Sequence, residues 1–66
     1  MPFHVLAVDV IAGEAYVSVD YAHHVSPMAL DDLLGSWRLD SADYDSNTAE
    51  FVNEKNQFVR VNLKGV

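Results

Sequence analysis

The chain has 66 residues, half of them hydrophobic, with ten acidic side chains against four basic ones and no cysteine. That length admits a single domain spanning residues 1–66, near the lower limit at which a core holds a fold unaided, and the absence of cysteine excludes disulfides and thiolate metal sites. So apolar a composition excludes a disordered acidic tail, and the formal charge of −6 repels phosphate backbones, so direct nucleic-acid binding is not expected.

Met1-Pro2-Phe3-His4 places no basic stretch ahead of its apolar run, and Asp9 interrupts that run too early for a membrane span. A cytoplasmic protein without membrane association is therefore expected. Two β-rich runs between Phe3 and Ala22 flank Gly13-Glu14, which suits a type II′ hairpin turn. Pairing Ala12 with Ala15 then sets Val10 opposite Val17, Val8 opposite Val19 and Leu6 opposite Tyr21 on the core face. Ser26-Pro27 reads as a helix cap and first turn and Gly35 as its stop, predicting a short helix from about Pro27 to Leu34 with Leu30, Leu33 and Leu34 on one side. Trp37 and Leu39 alternate with polar neighbours as in a strand. The polar stretch Asp40–Thr48 predicts a loop or frayed edge.

Ala49–Leu63 reads as a second hairpin whose connection is Glu54-Lys55-Asn56, with Asn56 left-handed. Pairing Asn53 with Gln57 sets Phe51 opposite Val59 and Ala49 opposite Val61. The expected fold is thus α+β: an antiparallel sheet of four to five strands with one helix packed on one face. The first strand, apolar on both sides, is placed centrally. The alternative is two hairpins curled into a small barrel around the helix.

Asp43, Asp45, Asn47 and Glu54 stand at positions one, three, five and twelve of a calcium-loop spacing. Thr48 replaces the glycine that this loop needs at position six, and strand rather than helix follows Glu54, so a solvated polar loop is the expectation. His4 and His23 face each other in the expected first hairpin with Asp20 one step away, a donor set for zinc. Edge imidazoles bonded to neighbours or water are the simpler expectation, and no metal or cofactor is assigned. No serine sits on a strand-turn-helix elbow, and the three isolated glycines form no phosphate loop, so no catalytic residue is assigned.

The reverse sheet face shows a surplus of apolar residues: Phe3, Val5, Ile11, Tyr16, Val52 and Phe58. Such a surface suits a symmetric dimer or a partner's surface. Asp31, Asp32, Asp43, Asp45 and Glu50 form a candidate acidic patch for a basic partner. The expected function is a non-enzymatic protein-protein interaction module, acting as a homodimer or docked on a larger protein. One alternative is a small acidic inhibitor, of the kind mobile elements encode, that mimics nucleic acid on a nucleic-acid-binding machine. The other is a metal-ion or small-ligand module.

Overall fold

Two hairpins with two-residue turns make the first half of the protein in a computed structural model that describes residues 1–64. Strand β1 (His4–Ile11) returns as β2 (Glu14–Tyr21), which returns as β3 (His24–Met28). Both central residues of each turn have positive φ: Ala12 at 53° and Gly13 at 82°, then Ala22 at 50° and His23 at 65°. This is type I′ geometry, whose twist matches that of the flanking strands. The first turn therefore lies one residue earlier than Gly13-Glu14, and Ile11 pairs with Glu14. Val8 comes to face Val17 and Val10 faces Ala15, in place of the expected Val10–Val17 pair. A bulge between Val5 and Ala7 shifts the register again, so that Val5 faces Val19 and turns toward the core.

The described residues contain no helix, and the expected α+β fold is replaced by an all-β one. Pro27 lies in β3 opposite Ser18, on an edge of the three-stranded sheet β1-β2-β3, where a missing N–H is tolerated. Asp31 then takes a left-handed φ of 71°. The Asp32 carboxylate accepts the Ala29 N–H at 2.9 Å and closes a tight turn. Strand β4 (Leu33–Leu34) follows, and Gly35, at φ 63°, opens the turn into β5 (Trp37–Asp43). The signals that suggested a cap and a stop thus serve an edge strand and a hairpin turn. A helix of about two turns is marginal unless it docks, and residues 24–28 pair with β2 instead.

Strands β5, β6 (Thr48–Asn53) and β7 (Phe58–Asn62) complete an antiparallel sheet in the order β4-β5-β6-β7. Phe51 faces Val59 and Ala49 faces Val61, as the sequence suggested. Asn56, at φ 59°, takes the left-handed position, and the Asn53 side-chain oxygen accepts the Lys55 and Gln57 amides at 2.9 and 3.0 Å. The expected polar loop shrinks, because pairing with β6 carries β5 to Asp43.

Val8, Val17, Val19 and Met28 of the first sheet meet Leu39, Ala49 and Phe51 of the second in one buried core. Phe3 closes it, its ring edge-on to Phe51 at 5.2 Å. Fully burying Leu39 or Phe51 contributes about 1.5–3 kcal/mol each. Strand β1 is an edge strand, not a central one. No helix among the described residues is long and apolar enough to cross a membrane.

Candidate functional site

The six residues expected to form one apolar surface are divided among three places. Phe3 is 4% exposed in the core, and Val5 packs against it, turned inward by the bulge. Ile11 and Tyr16 lie on the outer face of the three-stranded sheet, because the alternating neighbours Val8, Val17 and Val19 face the core. Val52 and Phe58 lie on the outer face of the other sheet, across the core from them.

Leu33, Arg38, Val52 and Phe58 are successive cross-strand partners through β4, β5, β6 and β7. Their neighbours Leu39, Phe51 and Val59 point toward the core, so the four form a row on the face turned away from it. Val52 is only 5% exposed, while Leu33 and Phe58 at the ends of the row are 70% and 63% exposed. The Arg38 guanidinium is held by Asp31 at 3.1 Å and Asp40 at 3.2 Å. A shallow groove on this face is lined by Leu33, Arg38 and Val52 and by Asn53, Glu54 and Asn56 of the last turn. The row offers apolar contact beside a hydrogen-bonding rim. Leu33 and Arg38 escape sequence reasoning because their place depends on a two-residue strand hidden inside an apparent helix.

Most members of the candidate acidic patch have local partners. Asp31 pairs with Arg38, Asp32 closes the turn before β4, and Glu50 lies 3.8 Å from the Arg60 guanidinium. The Ser46 hydroxyl foremost, and then the Asp45 amide, hold the Asp43 carboxyl below its usual range; the amide bond is 3.0 Å long. Glu54 lies past the far end of the six-residue β6 from Asp43, Asp45 and Asn47, about 20 Å away at the rise of a strand. The calcium-loop spacing therefore does not fold into a loop around one ion. His4 faces Asp20 rather than His23, although all three line one shallow cleft beside Pro2 and Ala22. Among the described residues no group of three or more His, Asp or Glu is arranged to hold a metal ion.

A charge asymmetry that the overall balance hides becomes visible in the fold. No Lys or Arg precedes Arg38 in the sequence, so the three-stranded sheet has no Lys or Arg side chain. Asp9, Glu14 and Asp20 share its outer face with Tyr16. The Tyr16 hydroxyl donates to the Glu14 carboxylate at 3.0 Å. That hydrogen bond first, and the negative charge of Glu14 next, push the phenol pKa up. Reading the Lys and Arg positions along the chain is the signal that would have found this face.

Comparison of the chain with protein-family models, curated proteins and solved structures finds no match in any of the three.

Proposed function

We propose that this protein is a non-enzymatic interaction module that docks on a larger protein through the outer face of its four-stranded sheet. The observation that carries this function is the row Leu33–Arg38–Val52–Phe58, whose ends are large exposed apolar side chains on either side of a half-exposed arginine and a buried valine. Exposed apolar side chains beside a polar rim are a feature of surfaces that contact other proteins. On this reading the protein acts in the cytoplasm, where a cysteine-free chain has no need of an oxidising compartment.

The test is a photo-crosslinking amino acid placed at Phe58 in the producing cell. A discrete adduct with one protein, abolished by Leu33→Asp, is the expected result. An adduct pattern unaffected by Leu33→Asp would contradict docking through this face, and an adduct of twice the chain's mass would identify the partner as a second copy.

A second function is supported by the first sheet, which carries no Lys or Arg: a stoichiometric inhibitor whose acidic face occupies a basic nucleic-acid groove on a larger protein. Such binding weakens steeply as salt rises, whereas docking through Leu33 and Phe58 does not. A salt titration of the complex therefore separates the two.

A further inference from the structure

Among the described residues four strand edges have no neighbouring strand, and they are not equally protected. Strand β3 carries Pro27, β4 is two residues long, and β7 has Arg60 at its middle. Proline, shortness and charge are the usual devices that keep an edge from pairing with another chain. Strand β1 is eight residues long and contains no Pro; Asp9 is its only Asp, Glu, Lys or Arg, and that charge repels a like-charged strand while admitting one of opposite charge. Its one irregularity is the bulge at Leu6.

The hairpin geometry shows which groups this edge presents. Residues flanking a two-residue turn exchange hydrogen bonds, so Ile11 bonds Glu14, and by alternation Asp9 bonds Tyr16 and Ala7 bonds Ser18. Val8 and Val10 fall at the intervening positions, with their N–H and C=O groups directed away from β2. Among the described residues these groups have no other backbone partner. Val10 is also 50% exposed, although it shares a strand side with Val8, at 4%. A cleft of about 510 Å³ runs along this edge, with Leu6–Asp9 as one wall and Tyr44, Asp45 and Lys64 on the other.

We infer that β1 accepts an extended segment of a partner protein as a fourth strand of the first sheet, and that this segment carries Lys or Arg opposite Asp9 between apolar residues. The main-chain groups of Val8 and Val10 supply the pairing, and alternate side chains supply the selectivity. The cationic residue follows from charge: Asp9 shares its face with Glu14 and Asp20, and among the described residues no Lys or Arg forms a salt bridge with it. A second copy fits this edge poorly. The register that pairs Val8 with Val10 of the other copy sets two Asp9 side chains directly opposite, which is destabilising. Centring the pairing on Val8 instead runs it into the bulge at Leu6. This surface is separate from the row on the four-stranded sheet, so either can fail without the other.

The experiment is selection of displayed random peptides on the immobilised full-length chain, followed by synthesis of an enriched peptide. Enriched sequences should alternate β-branched residues with Lys or Arg. Val10→Pro removes an outward N–H while leaving the Asp9 and Ile11 ladder bonds, and it should weaken peptide binding by about tenfold or more. Asp9→Asn should weaken it less and flatten its salt dependence, and Lys55→Ala, in the last turn, should leave it unchanged. In the wild-type protein, peptide should slow hydrogen exchange at the Val8 and Val10 amides by about tenfold or more. That measurement decides the matter even where Val10→Pro fails to fold. Failure to enrich any peptide, protection confined to other amides, or a concentration-dependent dimer that protects Val8 and Val10 would each overturn the inference.

Discussion

At the turn between β5 and β6, Asp43 acts on the backbone: its carboxylate accepts the Asp45 amide, and Asn47 completes the turn at φ 56°. Side chains of this kind compete for local backbone groups, which is why Asp and Asn collect in turns. The same residues, read along the sequence, imitate a calcium loop and an acidic patch, because composition does not reveal which carboxylates already have partners. The lowered Asp43 pKa gives this role a pH signature. The folded pKa lies below the unfolded value of about 3.9, so the stabilisation is complete above that value and is lost as pH falls through the folded one. Asp43→Asn keeps the accepting oxygen and removes the charge. Urea denaturation should show the wild type more stable than Asp43→Asn at neutral pH, with the difference shrinking below about pH 4. A difference that persists undiminished in strong acid would show that the charge is not its source.

The hairpins show how far turn chemistry is legible and where it stops. In the C-terminal hairpin, Asn56 supplies the left-handed position at little cost, and the register read from Phe51, Val59, Ala49 and Val61 matches the structure. In the first hairpin the turn residue Gly13 is evident, but Ala12 takes a left-handed φ that alanine rarely adopts, so the turn moves by one residue. The second turn, Ala22-His23, has no Gly or Asn, and nothing local announces it; β3 was hidden for that reason and because Ser26-Pro27 imitates a helix start. Ordinary residues lose about 1–2 kcal/mol each in the left-handed region. Converting Ala22-His23 to Asn-Gly, the preferred type I′ pair, should therefore stabilise the protein by about 1–2 kcal/mol, seen as a higher midpoint in thermal and urea unfolding. A neutral or destabilising result would mean that His23 holds contacts that outweigh the backbone strain.

For the whole molecule, the division between inside and outside was the harder inference. The apolar residues are nearly all visible in the sequence, yet one bulge in β1 and the pairing of β4 with β5 decide which of them turn inward. Phe3 and Phe58 look alike along the chain. The first seals the core against Phe51, and the second stands 63% exposed at the end of an outer row. A chain of this size has a total stability of about 3–10 kcal/mol, and truncating a buried phenylalanine costs about 3–5 kcal/mol. Phe51→Ala should therefore leave much of the protein unfolded at room temperature, with a collapsed or absent unfolding transition. Phe58→Ala, on the solvent side of the same sheet, should change stability by about 0.5 kcal/mol or less and yet abolish the partner adduct formed by a photo-crosslinking amino acid placed at Leu33 instead. Measured together, the two variants separate what the aromatic residues do for the fold from what they do for recognition. A strongly destabilised Phe58→Ala would show that Phe58 serves the fold, and the docking face would then have to lie elsewhere.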